Sequence, residues 1–338
     1  MSLIDVVVAV RNEEKYIKKC IKSLQEQTIR DIKIIIVDGM SSDKTRQIIK
    51  EMMKRDKRIR MLLNKKKIVS AGRNIGFKYS KAEFIAYIDG HSFAEKNWLE
   101  TLYRTFLKFE KRYKLAGVGS THLSPSDDSF FSKVMDSCFK TLFGGIGSSY
   151  MKSDKIEKVE TAAFVLYKKS VIEREKITYD ESMTHCEDTD FNYRLIKKGY
   201  TILKDPNAIV YYYKRKNLKD FFHQMISYGL GRYKFIRKHP ETLRIYYVLP
   251  SIFVIYSMVF VISIALNYFK FITNKTLLLV SVPFILYTML NICETVKIVI
   301  KHRRLKALIS FLIFPAEHFG YGLGFLKGLI GGKDGTNG

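Results

Sequence analysis

Cysteine is scarce in this 338-residue chain: Cys20, Cys138, Cys186 and Cys293 stand singly, with no C-x-x-C pair. That spacing excludes a cysteine metal cage and the disulfide framework of a small secreted domain, and it fits a reducing cytosol. Tryptophan occurs once, as Trp98. The N-terminus lacks a basic leader and a small-residue cleavage site, running from Met1 almost directly into the apolar stretch Ile4 to Val10, so nothing there resembles a signal peptide. Acidic residues are few, 33 against 58 Lys and Arg, for a net charge of +25. From Tyr246 onward the surplus is six, which leaves +19 on residues 1–245. Such a charge attracts nucleic acid, an anionic membrane surface or phosphorylated substrates, and composition alone does not choose among them.

Charge is wholly missing between Arg244 and Lys270. The run IYYVLPSIFVIYSMVFVISIALNYF exceeds the ~20 apolar residues that a membrane-crossing helix needs. We read one span at about 246–267 and a second at about 276–299, joined by the short linker Asn267 to Lys275. A third run, 307–330, is interrupted by Pro315, Glu317, His318 and Lys327 and is glycine-rich; it reads as a span, a re-entrant segment or a surface helix. The loop KHRRLK, Lys301 to Lys306, is the most basic short segment in this region, and positive loops stay cytoplasmic. Two spans return the chain to the side it left, so residues 1–215 are expected in the cytosol.

Upstream the period changes. Apolar runs Leu3 to Val10, Ile32 to Val37, Met61 to Leu63 and Phe84 to Ile88 alternate with helix-like charged segments, Lys15 to Gln27, Lys44 to Arg55 and Ala71 to Lys78. That alternation predicts an α/β domain with a parallel, doubly wound sheet over residues 1–215. Ligands of such sheets bind outside the carboxyl ends of the strands. There the sequence places Arg11-Asn12-Glu13-Glu14, then Asp38-Gly39-Met40-Ser41-Ser42-Asp43-Lys44-Thr45, then Asp89-Gly90-His91-Ser92. Singly, Ser42 or Asp43 can cap a helix and Asp89-Gly90 can make a turn. Three polar clusters in register after successive strands point instead to one site.

Together the segments VVVAVRNEEKYI, IIIVDGMSSDKT, SAGRNIGF, FIAYIDGHS and HCEDTDFNYRLIKKGY resemble glycosyltransferase family 2 over roughly residues 3–240. The resemblance implies a GT-A fold, the Rossmann-like nucleotide-diphospho-sugar transferase fold, and an inverting transfer of sugar from a nucleotide donor. It implies that Asp38 accepts a hydrogen bond from the donor's base and that Arg11, Glu13, Arg73 and Asp89 build the donor pocket. The family usually carries D-x-D after its fourth strand, the last carboxylate binding a divalent metal. Here His91 takes that position, so Asp89 and His91 are the expected metal ligands, and imidazole shifts preference from Mg²⁺ towards Mn²⁺. His91 bonding phosphate directly is the other reading.

Residues 185–194 hold three acids, Glu187, Asp188 and Asp190, ahead of an apolar helical pattern. Acids suit a helix N-terminus on electrostatic grounds alone. By the resemblance Asp188 is the general base, with Glu187 orienting it or contacting the acceptor. Residues 216–244 form a basic amphipathic helix ahead of the membrane domain 245–331; its stripe packs on the catalytic domain or enters the membrane surface. Gln224 and Arg232 on it are candidates for acceptor or phosphate contact. Their spacing does not match the Q-x-x-R-W motif of processive synthases and no tryptophan follows, which speaks against processive polymerisation. EDTDFNYR, Q-x-x-x-Y-G-x-G-R and the segment FGYGLGFLKGLIGG are similar to the succinoglycan-biosynthesis ExoA-like membrane-associated branch. The implied activity is transfer of one sugar, from a UDP or GDP donor, to a polyprenyl-diphosphate-linked glycan. Its rivals are a polyprenyl-phosphate sugar synthase and, more distantly, a membrane-tethered nucleic-acid-binding protein. The last leaves the acids at the strand ends unexplained, since they repel phosphates unless a metal intervenes.

Overall fold

The computed structural model describes residues 2–145 and 154–331. The chain forms two units, one of residues 1–126 with 152–213 and one of residues 127–151 with 214–338. In chain order the first begins with β1 (Ile4–Val10), α1 (Ile17–Gln25), β2 (Ile32–Asp38), α2 (Thr45–Arg55), β3 (Ile59–Leu63) and α3 (Val69–Tyr79). It continues with β4 (Phe84–Asp89), β5 (Ser92–Ala94), α4 (Trp98–Phe109) and β6 (Leu115–Leu123). After α5 (Phe130–Phe139) and α6 (Leu142–Gly145) of the second unit, it resumes with β7 (Glu157–Lys158), β8 (Ala163–Lys168), α7 (Lys169–Glu175), α8 (Glu187–Lys197) and β9 (Thr201–Tyr212).

The nine-stranded sheet runs β3-β2-β1-β4-β8-β6-β9-β5, with β7 beside β9. The first four strands are mutually parallel, whereas β8 lies antiparallel to both β4 and β6. Strands covered on both faces read as continuous apolar runs, and IDVVVAV and IKIIIVD do. Successive side chains then feed opposite cores. Val6 and Val8 pack with Ile17, Ile21, Leu24, Trp98 and Phe106 on one face. Val7, Ile35 and Val37 pack with Tyr87, Phe191 and Leu195 on the other. Each fully buried Val or Ile contributes roughly 1.5–3 kcal/mol. Gly76 lets α3 approach β1, since a Cβ there would lie 2.4 Å from Val7. This is the GT-A architecture, and its second, mixed half is not legible in the early strand and helix alternation.

In the second unit, α9 (Leu218–Lys238), α10 (Ile245–Tyr268), α11 (Asn274–His302) and α12 (Ser310–Gly331) follow. Three helical segments, Ile245–Tyr268, Asn274–His302 and Leu305–Gly331, are long and apolar enough to cross a membrane. The third expected run is thus helical throughout: Pro315 falls in the second turn, where it forfeits a hydrogen bond without ending the helix. His318 is satisfied within the unit, its Nε2–H donating to the Phe143 carbonyl at 2.9 Å and its Nδ1 accepting from the Tyr287 hydroxyl at 2.9 Å.

Two expectations differ from what is found. Residues 1–215 do not form one uninterrupted domain, because α5 packs Val134, Met135, Cys138 and Phe139 against Phe221, Met225, Ile298 and Phe314 of the helical unit. The stripe of α9 is covered by α12. Added Cβ atoms at Gly229 and Gly324 would lie 2.0 Å from the Tyr321 oxygen and 1.9 Å from the Ile226 oxygen, so these glycines bring the two backbones together.

Candidate functional site

Sheet order places β2, β1 and β4 side by side, with Val10 opposite Asp38 and Ala9 opposite Asp89. The three polar clusters therefore meet at one edge. The first two are knitted by side chains that take orphan backbone N–H groups. Ser41 Oγ accepts from Asn12 N at 2.9 Å, Thr45 Oγ1 from Glu13 N at 2.7 Å, and Asp43 from Glu14 N at 3.1 Å. Asn12 Oδ1 in return accepts from Ser42 N at 2.9 Å. Asn12 and Met40 both hold left-handed backbone at φ 56° and 59°. Asp38 is wholly buried within this knot, taking the Ser41 hydroxyl at 2.5 Å with Arg46 Nε at 3.7 Å. Its carboxylate sets the turn that faces the edge. Arg11 is exposed, and its side chain runs over Gly39, where a Cβ would sit 3.4 Å away.

On the β4 side, Glu13 Oε1 lies 2.7 Å from His91 Nδ1. Gly90 makes the room, since a Cβ there would stand 3.1 Å from Glu13 Cγ and 2.7 Å from Val10. Asp89 and Glu187 are joined by one guanidinium: Arg73 donates to Asp89 Oδ1 at 3.3 Å and to Glu187 Oε1 at 2.9 Å. A planar fork spans two carboxylates where an ammonium would reach one. The Arg73 and Glu187 side chains are each 13 % exposed. Burial alone would lower the Arg73 pKa, and the charge of Glu187 foremost, then those around it, overcome that and raise it. Burial pushes the Glu187 carboxyl up to about 7, against the pull of Arg73 and with the push of Asp188.

The acids sit in the first turn of α8, entered through Cys186 at φ 60°. Asp188 Oδ1 accepts from Thr189 N at 2.7 Å, and its second oxygen has no hydrogen bond among the described residues. Asp190, fully buried, pairs with Arg194 at 2.8 Å and is structural. What aims α8 at Arg73 was missed in the sequence. Asn74 takes both backbone groups of Tyr179, its Nδ2 donating to the carbonyl at 2.9 Å and its Oδ1 accepting the N–H at 2.8 Å. Tyr179 then stacks on Phe191 of α8 at 4.3 Å and lies 5.2 Å under the Arg73 guanidinium. The only available signal was adjacency: Asn74 follows Arg73 in SAGRNIGF.

Gln224 and Arg232 belong to the second unit, on α9. Gln224 donates to the Tyr228 hydroxyl at 3.1 Å, and Arg232 covers the Tyr247 ring at 4.3 Å. Among the described residues no three His, Cys, Asp or Glu side chains gather as a metal cage. Asp89 and His91 offer one carboxylate and one imidazole, a donor set that fits a cation whose remaining ligands are diphosphate oxygens and water.

Comparison with known proteins bears on the family of the chain. The family model for glycosyl transferase family 2 matches residues 5–174, just over half the chain. A dolichyl N-acetyl-α-D-glucosaminyl phosphate 3-β-D-2,3-diacetamido-2,3-dideoxy-β-D-glucuronosyltransferase of Methanococcus voltae is 29% identical over 98% of this chain and 99% of its own. Succinoglycan biosynthesis protein ExoA of Rhizobium meliloti is 29% identical over 72% of this chain and 73% of its own. A GalNAc(5)-diNAcBac-PP-undecaprenol β-1,3-glucosyltransferase of Campylobacter jejuni is 33% identical over 26% of this chain and 29% of its own.

Proposed function

This chain belongs to glycosyl transferase family 2, and from that premise we propose that it moves one sugar from a nucleotide-sugar donor, UDP or GDP, to a lipid-linked glycan with inversion. The observation that carries the reading is the Arg73 bridge, which ties the β4 carboxylate Asp89 to the acid helix at Glu187. A donor end and an acceptor end are thereby held by one side chain. The relatives that share this sequence along much of its length include one named for a dolichyl-phosphate-linked sugar, which supports a lipid-linked acceptor.

Asp38, through the turn it holds with Ser41, and Arg11 line the end that takes the base, while Arg73 builds the diphosphate pocket by holding Asp89 in place. A divalent cation on Asp89 and His91, Mn²⁺ before Mg²⁺, would supply positive charge to the leaving diphosphate. Glu13 fixes the His91 ring through Nδ1. Asp188 takes the acceptor hydroxyl proton. The oxygen attacks the anomeric carbon as the bond to the diphosphate breaks from the opposite face, which inverts the centre. Glu187, drier and paired with Arg73, orients the acceptor. The helices of the second unit anchor the enzyme in the membrane, with its sheet unit on the cytoplasmic side.

The test is the full chain in lipid nanodiscs with Mn²⁺, a panel of radiolabelled UDP- and GDP-sugars, and farnesyl-phosphate-linked N-acetylglucosamine. One donor should pass its label to the lipid phase. No turnover and no protection from unfolding by any nucleotide would overturn the reading.

A further inference from the structure

Four rings line the same edge of the sheet, and the mechanism above uses only one of them, His91, as a cation ligand. His91 follows β4, His122 is near the end of β6, Phe164 opens β8 and Tyr212 ends β9. Their centroids are spaced 5.0 Å from His91 to Tyr212, 6.2 Å from Tyr212 to Phe164 and 6.4 Å from Phe164 to His122. All four are half-buried.

Phe164 is the telling member. It has φ 50°, a left-handed backbone that a bulky residue avoids and that costs on the order of 1–3 kcal/mol. The strain is held in place from several sides. The Phe164 carbonyl accepts from the Ser120 hydroxyl at 2.7 Å, and Ser120 accepts from the Trp98 indole N–H at 2.7 Å. The β6–β8 pairing slips at this point, between Val118 and Ser120, where a Cβ on Gly119 would lie 2.3 Å from Ala162. Three residues earlier, Thr161 touches Thr189 at 3.3 Å, beside Asp188. A backbone that strand packing alone would not choose therefore sets the ring at this edge, on the α1 and α4 face of the sheet, with Thr161 linking the start of the strand to the base helix.

We propose that Phe164 and Tyr212 form a shelf for the pyranose ring of the acceptor, flanked by the imidazoles of His91 and His122. An aromatic face is negative, and the axial C–H groups of a sugar present a positive edge to it. This rests on the transferase reading, and its test is separable from it.

Saturation-transfer NMR on the full chain in nanodiscs, irradiating aromatic protons, uses farnesyl-phosphate-linked N-acetylglucosamine as probe. Saturation should reach the pyranose C–H protons and fall about fivefold in Phe164→Leu and in Tyr212→Leu, the loss of one aromatic contact. Phe164→Tyr and Tyr212→Phe, which keep the ring faces, should retain it. Melting curves check folding, and if Phe164→Leu does not fold, Tyr212→Leu carries the test. In turnover, acceptor KM should rise and donor KM should not. Saturation that is unchanged in both leucine variants overturns the shelf, as does a rise in donor KM alone, which would place the donor's sugar there. A wild type that turns over no nucleotide sugar refutes the transferase reading and leaves the saturation result to stand by itself.

Discussion

Two adjacent carboxylates in α8 differ because their surroundings differ. Glu187 faces Arg73 in a dry place, whereas Asp188 keeps one oxygen without a hydrogen bond among the described residues. Asp188→Asn preserves shape and cannot take a proton, so turnover should fall ~10²–10⁴-fold while donor binding survives, as read by nucleotide protection from unfolding. Near-normal turnover would favour transfer to a lipid phosphate, a nucleophile already anionic. Glu187 yields a second prediction through stability. Its carboxyl rises from an ordinary 4.5 to about 7 in the fold, so the folded state holds the proton more tightly than the unfolded chain. That contribution is complete below 4.5 and disappears as pH climbs through about 7. Wild type should therefore lose stability across this window relative to Glu187→Gln, measured by thermal unfolding in a pH series. Parallel curves would refute the assignment.

At the scale of elements, α9 and α12 are held by absence of side chains. A Cβ on Gly324 would lie 1.9 Å from the Ile226 carbonyl oxygen and 2.7 Å from its carbon, both backbone atoms with no rotamer to yield. Gly324→Ala should destabilise the helical unit by about 1–3 kcal/mol, the usual cost of overpacking. Gly331→Ala is the control, because among the described residues nothing lies within 4 Å of its Cβ position. Melting in detergent checks the pair, and equal midpoints would mean the helices part at no cost. The α3 segment shows the opposite economy. Gly76 seats it on β1, Arg73 reaches both acids and Asn74 fastens Tyr179, all within one turn.

For the whole molecule, the balance of charge and apolar length makes a topological prediction. Two apolar helices precede the basic loop at Arg303 and Arg304. Reporters placed at the N-terminus and after Arg304 should both map to the cytoplasm. Opposite sides would mean that only one of the two helices crosses.

The alternation of apolar and charged segments was enough to determine the parallel half of the sheet, and strand ends followed within about two residues, because buried parallel strands need apolar side chains on both faces. The same is true of the apolar helices and of the acids opening α8. Legibility stopped where partners are distant in sequence. Whether Arg73 meets a phosphate or two carboxylates depends on Glu187, 114 residues away. The departure of residues 127–145 from the sheet unit depends on apolar faces of α9, α11 and α12 that no local pattern couples to α5. Phe164 reads as an ordinary strand residue until Ser120, Trp98 and Gly119 are brought around it. Local periodicity reports which face is apolar; only the closed sheet decides which distant side chain occupies the space beside it.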